Sequence, residues 1–341
     1  AVVVAPASYG HERFRVDVAS TRTEFYDFPA ALPKVEHTTI RNDLARRDFT
    51  INAMAVSLKP EDFGVLLDYF GGLADLEKKR IRVLHNLSFI EDPTRIFRAI
   101  RYESRYGLRM DRHTLGLAKS CSEMDLIGDL SSARLRDELI LLFSEPRVEF
   151  ALRRLRDLGL QNAVHPRLAL GDETLRLVHS GDDAWRRFKL AGEVPLWRLR
   201  LVWLLRSLEP EEIEAWAARM RFRTRDGEVL ARSWVLGNRL AERVAAGMSD
   251  ADLYEAAHGE PLEALLAALA CAPTPAAGER LARYLETTRF VRLDVTGDDL
   301  LGLGFDESPR LGDVLRTLLR LKLNGVIASR EEALETARRL R

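Results

Sequence analysis

Arginines recur at 95, 98, 101 and 105 in the segment EDPTRIFRAIRYESR, directly after the carboxylates of Glu91 and Asp92. On a helix, at about 100° per residue, these guanidinium groups cover an arc about 120° wide, while Ile96, Phe97 and Ile100 face the other way. Asp92 suits the cap of such a helix, and Pro93 suits its first position, where a missing N–H costs nothing. A core-packed helix would then present guanidinium groups with two carboxylates at its start. That arrangement suits an anionic ligand that also carries hydrogen-bonding edges.

A second dense constellation is DLARRDFTINAMA, residues 43–55, where Arg46 and Arg47 stand between Asp43 and Asp48 ahead of an apolar run that must enter the core. Two readings apply. Such a cluster is a surface ion-pair network of little energetic worth, or a phosphate-binding pair that Asp43 or Asp48 holds rigid. Asp17, in FRVDVAS, is an acid within an otherwise apolar strand and is either an exposed edge residue or a metal ligand.

The elements that must position these residues change character at about residue 75. Before it, AVVVA, FRVDVAS, AMAVSL and VLLDYF are short β-type runs, and AMAVSL–KPEDFG–VLLDYF forms a hairpin closed by Gly71 and Gly72. From Leu73 onward the β signal nearly vanishes, and helices are expected at 131–144, 146–159, 195–207, 226–246 and 311–323. Stretches rich in proline and glycine near 165–172, 272–278 and 296–309 mark boundaries. Trp185, Trp197, Trp203, Trp216 and Trp234, like His165 and His179, are expected to pack within helices rather than serve as stacking platforms or ligands.

The 341 residues can fill two or three domains with a sizeable core. Basic and acidic residues balance at 52 each, so any nucleic-acid binding must come from local patches. Cys121 and Cys271 follow no metal or redox spacing and read as buried thiols of a reducing cytoplasm. No apolar run approaches the roughly 20 residues of a membrane span, and no signal peptide precedes the first strand. The abrupt β-type start, AVVVAP without an initiator Met, leads to the expectation of an N-terminal truncation.

DLARRDFTINAMA, DYFGGLADLEKKRIRVL and EDPTRIFRAIRYESRYG, in this order and spacing, resemble the class II CCA-adding nucleotidyltransferases. That family includes bacterial poly(A) polymerases and enzymes that add only A or only CC to tRNA. The likeness takes in FRVDVASTRTEFYDFPAALPKVE upstream and returns in VTGDDLLGLGFDESPRLGDVLRTLL. It is near-continuous over 1–165, patchy across the middle and clear again over 294–341. The wording is closest to the long bacterial members, whose upstream modules are of the DHH and CBS types.

The resemblance implies an α+β fold. Residues 1–75 would be the C-terminal part of a nucleotidyltransferase head with a small mixed sheet. Residues 76–145 would be a helical neck carrying the template helix, and 146–341 an all-helical body and tail that hold RNA. It implies transfer of CMP and/or AMP from CTP or ATP to the 3′ end of tRNA in the cytoplasm. The alternatives are a bacterial poly(A) polymerase acting on other RNA ends and a non-catalytic RNA-binding helical module.

In the family's terms Glu91, Asp92 and Arg95 are the template that selects the nucleotide, an Asp acceptor and an Arg donor meeting the Watson–Crick edge of cytosine or adenine. Arg98 and Arg101 would shape the pocket, Arg47 would bind the triphosphate with support from Arg46 and Asp48, and Asn52 would contact the sugar. Catalysis in the family uses two Mg²⁺ ions. Asp17 stands where the third catalytic, metal-binding carboxylate is expected. The family's GG-x-VRD motif and Asp-x-Asp pair do not occur here and are expected upstream, so the chain alone is expected to be inactive. The Arg-rich segments 152–156 and 219–225 are either RNA contacts or solvated helix faces.

Overall fold

Short strand pairs and the helices that brace them fill the first half of the chain, and helices alone fill the second. A computed structural model describes residues 2–4, 15–25, 34–128 and 130–341; the strand expectations at Ala1, Ala5 and Phe14 lie outside these residues. The chain divides into two compact units, 1–166 and 167–341, within the stretch 165–172 marked by its proline and glycine.

In the first unit β1 (Val2–Val4) pairs antiparallel with β2 (Arg15–Asp17), and β3 (Arg22–Phe25) pairs antiparallel with β4 (Lys34–His37). Helix α1 (Ile40–Ala45) follows, started by Thr39, whose hydroxyl accepts the Asn42 N–H. The expected hairpin is present as β5 (Ala55–Val56) against β6 (Leu66–Leu67), with Ala55 opposite Leu67. Gly71, at φ +75°, then starts α2 (Gly72–Glu77), in a conformation that favours glycine. Two pairs were not legible from alternation. One is β3–β4; the other is β7 (Arg80–Ile81), which pairs parallel with β8 (Arg109–Met110).

Between β7 and β8 run α3 (Ser88–Glu91) and α4 (Thr94–Tyr106), the arginine helix. Its apolar side is as expected: Ile96, Phe97 and Ile100 are fully buried. Its arginine side is solvent-facing only in part: Arg95 and Arg101 are buried, Arg98 is half-buried and Arg105 is exposed. Helices α5 (Arg112–Glu123), α6 (Ser132–Phe143), α7 (Val148–Asp157) and α8 (Gln161–Val164) complete the unit.

The far end of α4 is locked to its neighbours by ion pairs. Glu103 is buried and accepts from Arg154 Nε and NH2 at 2.9 and 2.8 Å and from the Met110 N–H at 2.9 Å. Buried Glu145 takes Arg105 Nε at 2.9 Å. Removing one partner of such a pair costs about 3–5 kcal/mol, because the other charge is left buried. Arg154 is thus committed to an ion pair within the fold. Arg153, Arg219, Arg221, Arg223 and Arg225 are exposed.

The second unit contains α9 (Asp172–Arg187), α10 (Leu196–Leu204), α11 (Pro210–Arg219), α12 (Thr224–Ala245), α13 (Asp250–Ala257), α14 (Leu262–Ala270), α15 (Pro275–Glu286), α16 (Gly297–Gly302), α17 (Pro309–Leu323) and α18 (Arg330–Leu340). Trp203 and Trp216 are buried and Trp185, Trp197 and Trp234 half-buried, so the tryptophans serve as packing. Arg200, with 1% of its side chain exposed, forks onto Asp182 through Nε at 3.0 Å and NH2 at 2.5 Å. Helices α16–α18 close around a separate apolar cluster of Val295, Leu300, Phe305, Val314, Leu318 and Ile327. Cys121 is buried and Cys271 half-buried, and burial pushes both thiols up to about 11. Among the described residues no helix is long and apolar enough to cross a membrane.

The longest helix, α12, lies against α14 at Gly237, where an added Cβ would sit 2.5 Å from Ala267 Cβ and 2.7 Å from the Ala264 carbonyl oxygen. Backbone cannot yield as a flexible side chain does, so Gly237→Ala is expected to destabilise this unit by about 2 kcal/mol or more. Denaturant unfolding checks this, and an unchanged midpoint would contradict the packing.

Candidate nucleotide-binding site

The loop after α1 and the start of α4 meet at a cleft of about 510 Å³. The loop contributes Arg46, Arg47, Asp48 and Asn52, and the helix contributes Asp92, Thr94, Arg95, Arg98 and Tyr102. The volume lies within the roughly 300–1,000 Å³ range of small-molecule sites.

On the loop side Asp43, buried, is the anchor. Its Oδ1 accepts the Arg22 N–H at 3.0 Å and Arg46 NH2 at 2.8 Å, and its Oδ2 accepts Arg47 NH2 at 3.3 Å. Burial alone would raise its pKa, but these donors outweigh burial and hold the carboxyl below the usual aspartate value. Arg46 is further tied through Nε to the Arg22 carbonyl at 2.8 Å. Arg47, its side chain 44% exposed, is the more loosely held of the two.

The turn that follows is fixed from below by Asp75. Its Oδ2 accepts the Thr50 hydroxyl at 2.7 Å and Arg82 Nε at 2.8 Å, while the Thr50 N–H donates to the Arg82 carbonyl at 3.0 Å. Gly72 lets this turn approach, since a Cβ there would lie 2.2 Å from the Thr50 oxygen.

Asp48 then joins loop to helix. Its Oδ1 accepts from the Phe49 N–H and from Asn52 Nδ2, both at 2.9 Å. Its Oδ2 accepts Arg98 Nε at 2.8 Å, across 50 residues of sequence. Burial works against the Arg98 charge, but Asp48, Tyr102 and Glu138 prevail and hold its pKa above the ordinary arginine value. Arg95 adds a second tie, donating from NH2 to the Arg46 carbonyl at 3.1 Å and from NH1 to Ser88 Oγ at 2.7 Å.

Asp92 ends α3 rather than holding the cap position of α4, which falls to Pro93 with no side-chain capping bond. Asp92 is extended, as a residue before proline tends to be, and its Oδ1 accepts the Thr94 N–H at 3.0 Å and the Thr94 hydroxyl at 2.5 Å. Arg134 NH2, from α6, lies 2.7 Å from the same oxygen.

Of the residues singled out by sequence, the cleft thus brings together Arg47, Asn52, Asp92, Arg95 and Arg98. Glu91 does not line it and sits 3.4 Å from His85, whose pKa burial holds below the usual histidine value against the pull of Glu91. Arg101 is buried behind the lining, 3.8 Å from Glu138 and 5.5 Å from the centre of the Tyr102 ring. Asp17 is exposed on β2 and is not a lining residue. Thr94, Tyr102, Arg134 and Glu138 were not anticipated. Tyr102, four residues after Arg98, was legible as a neighbour on one helix face; the partners of Arg134 and Glu138 were not.

Among the described residues no three His, Cys, Asp or Glu side chains come together to hold a metal ion. These residues therefore do not by themselves fit a two-metal centre.

Comparison with known proteins bears on the chemistry. Residues 4–82 match the poly(A) polymerase head domain, and residues 107–170 match a probable RNA- and SrmB-binding site of polymerase A. The chain is 39% identical, over all of its length, to an A-adding tRNA nucleotidyltransferase of Geobacter sulfurreducens, and it spans 39% of the length of that relative. It is 32% identical to the A-adding tRNA nucleotidyltransferase of Halalkalibacterium halodurans, covering 96% of this chain and 75% of the relative. Its fold is similar to that of the Thermotoga maritima CCA-adding enzyme complexed with tRNA-CCA, with a TM-score of 0.76 at 28% identity, over 93% of this chain and 80% of that one.

The Asp43 anchor makes a prediction about acid. Stability from a carboxyl whose folded pKa is depressed is complete above the unfolded value, 3.8, and is lost as pH falls through the lower folded value. Asp43→Asn is expected to cost about 1–3 kcal/mol at pH 7, and the gap to the parent should narrow on acidification below pH 3.8. Denaturant unfolding at neutral pH and near pH 3 measures it; a gap that stays constant would contradict the anchoring.

Proposed function

We propose, from the premise that this chain belongs to the class II CCA-adding nucleotidyltransferase family, that it selects a nucleoside triphosphate for addition to the 3′ end of tRNA. The observation that carries this reading is one cleft in which an arginine pair and an Asp–Arg pair face the same space. The two ends of a nucleotide need those two kinds of group. A triphosphate needs guanidinium forks, and a base edge needs an acceptor beside a donor.

In this reading Arg47, loosely held on Asp43, takes the triphosphate, with Arg46 and Asp48 supporting it. Asp92 and Arg95 meet the base, Arg98 and Arg101 shape the pocket around it, and Asn52 lies near the sugar. Glu91, turned toward His85, acts as a support of the template rather than a contact. The division of labour is a head over residues 1–75, a neck over 76–145, and an RNA-holding body and tail over 146–341.

AMP is the nucleotide favoured, because both relatives compared are named for adding A; CMP is the second reading. Both bases present an amino donor where guanine and uracil present a carbonyl. The ion proposed for the transfer is Mg²⁺, a hard cation that takes carboxylate oxygens, with Asp17 as one ligand and the rest from outside the described residues. The reaction is assigned to the cytoplasm.

Extension assays on the full-length protein test the substrate. tRNA ending in CC should gain A; exclusive extension of unstructured RNA would favour a poly(A) polymerase, and no extension of any RNA would favour a binding module. Asp92→Ala and Arg95→Ala should each lower the preference for ATP over GTP and UTP by about tenfold or more. Unchanged selectivity in both would remove the template role from this helix.

A further inference from the structure

Helix α6 places Arg134 and Glu138, four residues apart and so on one face, against the charged groups of the cleft without lining it. Arg134 NH2 lies 2.7 Å from Asp92 Oδ1, and Glu138 lies 3.9 Å from Arg98 and 3.8 Å from Arg101.

We propose that Arg134 is a positioning residue for nucleotide choice, holding the Asp92 carboxylate turned so that its second oxygen meets the base. The inference rests on the reading of Asp92 as a base contact. Three groups engage Oδ1: the Thr94 N–H, the Thr94 hydroxyl and Arg134. Among the described residues none hydrogen-bonds Oδ2, which leaves that oxygen as the acceptor for a ligand. The pair is not a surface bridge, for Arg134 and Asp92 side chains are 23% and 18% exposed.

The consequence for recognition follows from base chemistry. Adenine and cytosine present an amino donor at the edge where guanine and uracil present a carbonyl oxygen. An acceptor fixed in place takes the first two and repels the others. An acceptor free to swing away loses that distinction. Arg134 supplies that constraint from outside the cleft, so its loss should fall on selectivity more than on phosphate binding. Glu138 faces Arg98 and Arg101 instead.

The test uses the full-length protein and a tRNA ending in CC, with kcat/KM for ATP and GTP measured in Arg134→Gln, Arg134→Lys, Asp92→Ala and the Asp92→Ala/Arg134→Gln double variant. Arg134→Gln should lower the ATP-to-GTP ratio by roughly tenfold. Arg134→Lys should restore most of it, and Arg134→Gln should add nothing once Asp92 is Ala. Inhibition by inorganic tripolyphosphate, which reports the phosphate end alone, should be unchanged. Where the Gln variant does not fold, Arg134→Met supplies the same comparison.

A ratio unchanged by Arg134→Gln, while Asp92→Ala collapses it, overturns this inference and leaves the template reading standing. Equal loss of kcat/KM for both nucleotides marks a structural role and overturns it too. A ratio that Asp92→Ala itself leaves unchanged removes the underlying reading.

Discussion

The Asp48–Arg98 ion pair is the join on which the first unit's cleft depends. Without it the loop carrying Arg46 and Arg47 and the helix carrying Asp92 and Arg95 are separate elements, 50 residues apart at this contact. With it, one carboxylate accepts the turn's own Phe49 N–H and Asn52 amide on one oxygen and the helix on the other. The carboxylate is almost wholly withdrawn from water, its side chain 7% exposed, so it is satisfied only while all these donors stay in place. Arg95, reaching the Arg46 carbonyl, doubles the join with a side chain that also faces the cleft.

The same logic runs through the rest of the chain. The sequence is rich in arginine yet neutral overall, and the structure spends much of that arginine internally. Arg105 on Glu145, Arg154 on Glu103 and Arg200 on Asp182 are structural pins with their carboxylates buried. Where a guanidinium is only partly neutralised and partly exposed, as Arg47 is on Asp43, it keeps capacity for an outside anion. Charge density along the sequence is therefore a poor guide to ligand contacts here, and residual commitment of each group is a better one.

Much of the site was legible because it is local. Helical period placed Ile96, Phe97 and Ile100 in the core, the Asp92–Pro93 pair marked where α4 begins, and the hairpin around 56–66 followed from its alternation and turn residues. What was not legible depends on partners distant in sequence. Period cannot say that Arg95 and Arg101 are buried, since that requires Ser88 and Glu138 to stand opposite them. Nor can it say that Arg134 meets Asp92, because a four-residue spacing on α6 shows only that Arg134 and Glu138 share a face. The β7–β8 pair is two residues long on each strand, too short for any periodicity to register.

Where a nucleotide lies decides the role of this cleft. A structure of the full-length protein with a non-hydrolysable ATP analogue is the most direct measurement. The adenine edge should lie against Asp92 and Arg95, with the amino group toward Asp92 Oδ2 and the triphosphate on Arg47. A triphosphate bound away from Arg46 and Arg47, or a base that leaves Asp92 and Arg95 untouched, would contradict that role.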